Sequence, residues 1–176
     1  MVHYRRARVP GACYFLTLAL QDRASDLLVR HHRELGQALR HACRQKPCRL
    51  PAIVLLPNHL HLLMALPEGD ADYSSRIRLF KSTFVMALRA QPGTPVRFTA
   101  RGEANLWQRR FWEHLIRDER DYTAHVDYIH INPLQHGLVE RVRDWPHSSF
   151  HRHVQRGLLP IDWAGGTEQG VSHAGE

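Results

Sequence analysis

The stretch that most constrains this chain runs from Leu55 to Leu66, because it is apolar yet holds two histidines two residues apart. It is too short to cross a membrane, and Pro57-Asn58 is typical of a turn that opens a strand. Side chains alternate between the two faces of a strand. His59 and His61 are therefore expected on one face, where both imidazoles can meet a single divalent metal ion. The alternative is a surface pair hydrogen-bonded to water.

The charge of the chain favours a polyanionic partner. The 176 residues suit one domain, and the formal net charge is +7, with nearly all of the cations being arginine. Arginine makes bidentate contacts with phosphate and stacks on aromatic rings. A basic protein without a nucleic-acid role is the alternative that charge alone leaves open.

The cysteines favour a reduced, cytosolic setting. Cys13, Cys43 and Cys48 are odd in number and form no Cys-x-x-Cys motif, which argues against a disulfide framework or a zinc site. No segment is expected to cross a bilayer.

The order of predicted elements indicates an α+β fold. Strands and helices alternate as strand, helix, strand, strand, helix, strand, over 14–20, 32–44, 52–56, 59–66, 72–89 and 106–116. This is the ferredoxin-like, RRM-like arrangement, an antiparallel sheet with helices packed on one face. Its first and third strands are central, so the two histidines are expected in mid-sheet. We expect a loop over 91–105, a single domain over 1–163 and a disordered tail over 164–176.

A later helix carries an unusual polar face. It is predicted from Asp118 to Asn132, with Pro133 ending it. At 100° per residue, four side chains fall within about 60° of one another: Asp121, His125, Tyr128 and Asn132. If this face packs on the histidines, then His59, His61 and Asn132 can hold one metal ion and Tyr128 can attack the group that the ion polarises. A core tyrosine beside a helix-ending asparagine is the alternative.

Four motifs then follow one another in order. They are Pro-Asn-His-Leu-His at 57–61, Leu-Trp-Gln-Arg-Arg-Phe-Trp-Glu-His at 106–114, Asp-Tyr-Ile-His-Ile-Asn-Pro-Leu-Gln-His-Gly-Leu-Val at 127–139 and Asp-Trp-Pro-His-Ser-Ser at 144–149. Together they resemble the REP-associated tyrosine transposases, single-copy bacterial relatives of the transposases of small insertion sequences. The resemblance runs from about Tyr4 to Trp163. One departure is Leu134-Gln135, where the family often has Val-Lys, so one DNA-contacting cation is lost.

The resemblance implies a histidine-hydrophobic-histidine (HUH) endonuclease with one tyrosine nucleophile. By this resemblance His59 and His61 are metal ligands, Asn132 is the third ligand and Tyr128 is the nucleophile, with Mg²⁺ or Mn²⁺ as the expected ion. Family members cleave single-stranded DNA at repetitive extragenic palindromic (REP) hairpins, and the expected product is a 5′-phosphotyrosine with a free 3′-OH. The proton acceptor stays open between the metal field, a water molecule and a histidine such as His125.

The expected partner is a single-stranded DNA hairpin, met in the bacterial cytoplasm at the nucleoid. Related insertion-sequence enzymes are dimers that share sites, whereas this resemblance implies a monomer, with a dimer as the alternative. Phosphate contacts are expected from the basic side chains near the aromatic segments and at the amino terminus: Arg5, Arg6, Arg76, Lys81, Arg109 and Arg110. A solvated amino-terminal arm is the alternative for Arg5 and Arg6, and a solvated charged helix face is the alternative for Arg76 and Lys81.

Three rival functions fit the sequence less well. A nucleic-acid-binding module of the same fold, without chemistry, explains the charge but not the shared face of Tyr128 and Asn132. A two-histidine phosphodiesterase needs two His-x-Ser/Thr motifs, and this chain has one His-x-His. A structural metalloprotein lacks a closed set of four ligands.

Overall fold

A computed structural model describes residues 7–91, 96 and 104–165, which contain one four-stranded antiparallel sheet. The strands are β1 (Cys13–Ala19), β2 (Ile53–Leu55), β3 (His59–Ala65) and β4 (Trp112–Leu115). Their order is β2-β3-β1-β4, so the first and third strands are the central pair. The predicted α+β, ferredoxin-like sheet is therefore confirmed.

The helices follow the predicted order, with three short additions. They are α1 (Leu27–Arg30), α2 (His32–Gln45), α3 (Tyr73–Arg89), α4 (Glu119–Gln135), a 3-10 helix (Val142–Asp144) and α5 (Phe150–Gln155). Asp72 and Asp118 cap α3 and α4 by accepting hydrogen bonds from backbone N–H groups at 3.0 and 2.8 Å. Among the described residues, no helix has the length and apolarity needed to span a membrane.

The two faces of the sheet bury different side chains. One face, with Tyr14, Leu16 and Leu62, packs against α2 and α3. The other face carries Phe15 and Leu63 and packs against α4. Helices thus cover both faces rather than one, because α4 adds a layer to the predicted arrangement. Both histidines lie on the α4 face in a strand that is buried from its first residue, which is inconsistent with a water-bonded surface pair.

Two boundaries differ from the sequence-based prediction. Helix α4 continues through Pro133 to Gln135. A proline removes one backbone donor from the helix. Helical hydrogen bonding nevertheless continues beyond Pro133, because His136 N–H donates to the carbonyl of Asn132 at 3.0 Å. Gly137, at φ +66°, then ends the helix.

The segment 106–116 gives one isolated bridge between Trp107 and Leu20 and then the short β4. The domain boundary at 163 stays a prediction, and most of the predicted loop and of the tail lies outside the described residues.

Arg76 is the one predicted DNA contact that the structure contradicts. Its side chain is 3% exposed. The guanidinium donates to the carbonyl oxygen of Pro47 at 2.7 Å, to that of Asp72 at 2.9 Å and to the carboxylate of Asp70 at 2.6 Å. Arg76 therefore ties α3 to the segment after α2. Its periodicity resembles that of a solvated cation because Pro47, one of its acceptors, lies 29 residues away in the chain.

Replacing Arg76 with alanine is expected to lower the free energy of unfolding by about 3 kcal/mol, since it leaves buried acceptors without a donor. Urea denaturation measures this change. Arg78→Ala, at an exposed position of the same helix, is the matched control and should change stability by less than about 0.5 kcal/mol. Equal stability of the two variants would contradict the structural role of Arg76.

Candidate active site

The two histidines of β3 are held in place by oxygen atoms on their Nδ1 side. His59 is 3% and His61 1% exposed, and their ring centroids lie 4.9 Å apart. Nδ1 of His59 lies 2.7 Å from Oδ1 of Asn58, and Nδ1 of His61 lies 2.9 Å from Oγ1 of Thr17. An amide oxygen accepts hydrogen bonds, so Nδ1 of His59 carries the proton and Nε2 keeps its lone pair. Metal-ligating histidines are typically oriented in this way.

Helix α4 presents its polar face to these histidines. The Tyr128 ring lies 5.3 Å from the His61 ring, and the His136 ring lies 5.3 Å from the His59 ring. Asn132 is fully buried and stands one turn from each of those two residues, on the same side of the helix. The structure therefore places Tyr128 against His61, and Asn132 lies on the same side of α4 between Tyr128 and His136.

The donor set fits a divalent metal ion. His59, His61 and Asn132 offer two imidazole nitrogens and one amide oxygen. The hydrogen bond that Asn58 accepts leaves Nε2 of His59 as the nitrogen that this ring presents, and Thr17 holds the His61 ring by its Nδ1. Imidazole and carbonyl donors together suit several divalent ions of the first transition row, and magnesium accepts the oxygen donor. The family predicted from the sequence also implies a divalent metal.

A second group of metal-ligating side chains lies beside this site. His114, Asp121 and His125 place their ligand atoms within 4.8 Å of one another. The Asp121 carboxylate already accepts from His114 Nε2 at 2.8 Å and from Arg117 Nε at 3.0 Å. Burial acts to raise the pKa of Asp121, but these hydrogen bonds outweigh it and hold the pKa well below its usual range. The group therefore acts as a hydrogen-bonded brace between β4 and the start of α4.

His125 is set up as a neutral imidazole. Its Nδ1 lies 2.7 Å from the backbone carbonyl oxygen of Asp121, so Nδ1 donates and Nε2 keeps the lone pair. The ring stacks on His114 at 4.6 Å and lies 4.8 Å from Phe15, which also contacts Tyr128. Burial lowers the pKa of His125, which keeps the ring uncharged near neutral pH.

Of the other predicted DNA contacts, the structure describes Lys81, Arg109 and Arg110. Lys81 donates to the carbonyl oxygen of Gln108 at 3.0 Å and lies over the Trp107 ring at 5.4 Å. Arg109 and Arg110 are exposed just before β4. Arg5 and Arg6 lie outside the described residues.

Several site residues were missed from the sequence. Thr17 gives no local signal, because its partner His61 is 44 residues away in the chain. Asn58 was interpreted as turn punctuation, although its position next to His59 allowed a hydrogen bond to that ring. His136 would have been found by continuing the helix one turn past Asn132, which the presumed end at Pro133 prevented.

Fold and site together define the tyrosine-transposase class: a ferredoxin-like sheet whose central strand presents a histidine pair to a helix with a tyrosine and an asparagine. No family model matches the chain. A REP-associated tyrosine transposase of Escherichia coli strain K12 is 47% identical over 165 residues, covering 94% of this chain and 92% of that protein. The chain belongs to the family of REP-associated tyrosine transposases.

A solved structure supports the same assignment. It is that of a REP-associated tyrosine transposase bound to a REP hairpin, with a TM-score of 0.86 and 45% identity, covering all of this chain and 98% of the other. The resemblance predicted from the four motifs is confirmed. The chain is accordingly a DNA-cleaving enzyme of the tyrosine-dependent type.

Replacing Thr17 with valine is expected to weaken Mn²⁺ binding by about 10- to 100-fold, because His61 loses the oxygen that orients its ring. Isothermal titration calorimetry measures the affinity. Thr17→Ser keeps the hydroxyl and should restore binding, and Thr123→Val, at an exposed position of α4, is the matched control. Unchanged affinity in Thr17→Val would contradict the role of Thr17 in orienting His61.

Proposed function

We propose that this chain cleaves single-stranded DNA at REP-type hairpins, and rejoins it, with Tyr128 as the nucleophile. The observation that carries the proposal is the packing of the Tyr128 ring against His61, 5.3 Å away. A relative with a TM-score of 0.86 is bound to a REP hairpin, which supports the same substrate here. The bacterial chromosome, in the cytoplasm at the nucleoid, is then the place of action.

The proposed metal site consists of His59, His61 and Asn132, with Mg²⁺ or Mn²⁺ as the ion. When bound, the ion supplies positive charge that neutralises the scissile phosphate and orients it for in-line attack. Zinc and nickel are expected to compete in vitro, because imidazole donors also suit them.

The chemistry of the chain itself is carried by Tyr128 and its surroundings. The phenol, with an ordinary pKa of about 10, must lose its proton before or during attack. Its oxygen forms a bond to phosphorus while the bond from phosphorus to the 3′ oxygen breaks, leaving a 5′-phosphotyrosine and a 3′-OH. The phosphodiester energy is kept in the adduct, so a 3′-OH can attack it and rejoin the strand.

His125 is the proposed acceptor of the tyrosine proton. It lies one turn before Tyr128, its Nδ1 proton is held by the Asp121 carbonyl oxygen and its Nε2 keeps a lone pair. The groups that face it are His114 of β4, the Asp121 carboxylate and Arg117. Burial keeps the ring neutral, which is the form that accepts a proton.

The cleavage rate should be insensitive to pH above the ordinary histidine pKa and should fall at acidic pH, once His125 becomes protonated. Because its pKa is lowered, the fall begins below that of a free histidine. His125→Gln should slow cleavage by about 10²- to 10⁴-fold at neutral pH and saturating Mn²⁺. Single-turnover rates across pH measure both effects. A rate for His125→Gln within about twofold of the wild-type rate at neutral pH would assign the proton to another acceptor.

A monomer is the proposed active state. Tyr128 packs against His61 of its own chain, so the nucleophile and the proposed ligands come from one molecule. Light scattering of the DNA complex should give one protein chain per hairpin. A complex with two chains per hairpin would favour the dimer.

The nucleophile is tested with a labelled REP hairpin carrying single-stranded flanks. In Mn²⁺ the wild-type chain should form a labelled covalent adduct that survives denaturing electrophoresis, and EDTA should prevent it. Tyr128→Phe should lose the adduct but keep hairpin affinity within about twofold, since one hydroxyl is removed. Tyr122→Phe, on the same helix, is the control and should keep the adduct. Tight hairpin binding by the wild-type chain in Mn²⁺, without an adduct, would favour the alternative of a nucleic-acid-binding module without chemistry.

A further inference from the structure

An open cavity of about 520 Å³ lies beside the active site, between β1 and the segment that leads into β4. Its floor is formed by Thr17 and Ala19 of β1, and its walls include Arg23, Arg110 and Trp112. None of the three wall residues has a role in the chemistry proposed above. We call this space the β4 cavity.

The β4 cavity is joined to the histidine pair through the sheet. Thr17 is paired with His61 on one side and with Trp112 on the other, so these three residues form a row across neighbouring strands. Adjacent strands are about 4.8 Å apart. The cavity floor therefore begins one strand away from His61.

Groups that line the β4 cavity also orient both histidines. Thr17, in its floor, is hydrogen-bonded to Nδ1 of His61. The backbone carbonyl of Arg23, in its wall, accepts a hydrogen bond from the side chain of Asn58, whose oxygen contacts Nδ1 of His59. A molecule bound in this cavity would thus contact Thr17, which orients His61, and Arg23, which is hydrogen-bonded to the Asn58 that orients His59.

The side chains of the cavity have the chemistry of a nucleotide site. Trp112 is half-buried, and its indole is fixed by Phe15 at 5.6 Å and by the parallel ring of His114 at 5.9 Å. A fixed aromatic ring open to a cavity is a platform on which an unpaired base can stack. Arg23 and Arg110 are both exposed, and guanidinium groups suit phosphate oxygens. Gln108, also in the wall, adds an amide that can contact a base edge.

We propose that the β4 cavity binds one unpaired nucleotide of the single-stranded flank, next to the scissile phosphate. The base stacks on Trp112, and Arg23 and Arg110 hold its phosphate. This inference rests on the proposed function, because it takes single-stranded DNA as the molecule that reaches His59 and His61. Trp112 is thereby assigned as a residue that positions the substrate, and Arg110 is assigned a contact with the phosphate of this nucleotide.

The test uses REP hairpins with one abasic site, moved nucleotide by nucleotide along the flanks. For the wild-type chain, one flank position should lose about 10-fold in affinity, as expected for a lost stacking contact. Trp112→Leu should bind the intact hairpin with an affinity reduced by a similar factor. In this variant, the abasic site at the same position should not reduce the affinity further. Abasic sites elsewhere should cost the same in both proteins. Trp112→Phe keeps an aromatic ring and should restore most of the affinity.

Arg110→Ala gives a second measurement if Trp112→Leu does not fold. It should reduce the slope of log affinity against log salt concentration by about one, since one phosphate contact is lost. Arg78→Ala, exposed on α3 at the opposite face of the sheet, should leave the slope unchanged. Equal slopes in the two variants would overturn the assignment of Arg110.

The outcomes separate this inference from the proposed function. One outcome would overturn the nucleotide site alone: the wild-type chain forms the Tyr128 adduct, and an abasic site lowers the hairpin affinity of Trp112→Leu as much as that of the wild-type chain. A second outcome would support the nucleotide site and overturn the cleavage mechanism: the abasic site no longer lowers the affinity of Trp112→Leu, but the wild-type chain forms no covalent adduct. Failure of the wild-type chain to bind any flanked hairpin would overturn both.

Discussion

The antiparallel register between β1 and β3 is the constraint on which the rest of the structure depends. It sets Ala19 opposite His59 and Thr17 opposite His61. The first pairing puts a small side chain beside one imidazole, and the second supplies the hydroxyl that orients the other. A slip of one residue would turn both histidines into the apolar face covered by α2 and α3. The apolar residues of that face, such as Leu60 and Leu62, therefore fix the register and with it the site.

Helix α4 supplies the other half of the site, and its rotation is fixed at both ends. Near its start the Asp121 carboxylate is bonded to His114 of β4 and to Arg117. At its other end the helix continues through Pro133 to Gln135. Asn132 therefore stays inside the helix, and His136 lies against His59. Buried apolar contacts of Val126 and Ile129 with the sheet hold the middle. Tyr128 is thereby presented to His61 by a rigid element, as precise positioning of a nucleophile requires.

Periodicity was sufficient to predict the sheet, its central strands, the histidine face and the shared face of Tyr128 and Asn132. Those features depend on local repeats of about two and 3.6 residues, which a sequence displays directly. The rest depends on contacts between distant residues. The sequence predicts Arg76 as a surface cation because Pro47, which accepts two of its hydrogen bonds, lies 29 residues away in the chain. Thr17 and the β4 cavity likewise became visible once the pairing of β1 with β3 and β4 was known.

The proposed mechanism depends on one metal ion bound between His59, His61 and Asn132. The most direct measurement is anomalous X-ray diffraction from a crystal of the chain grown with Mn²⁺. One anomalous peak is expected within bonding distance of an imidazole nitrogen of both histidines and of the Asn132 amide oxygen. A peak at His114, Asp121 and His125 instead would contradict the proposed site, because the hydrogen-bonded brace between β4 and α4 would then be the metal centre.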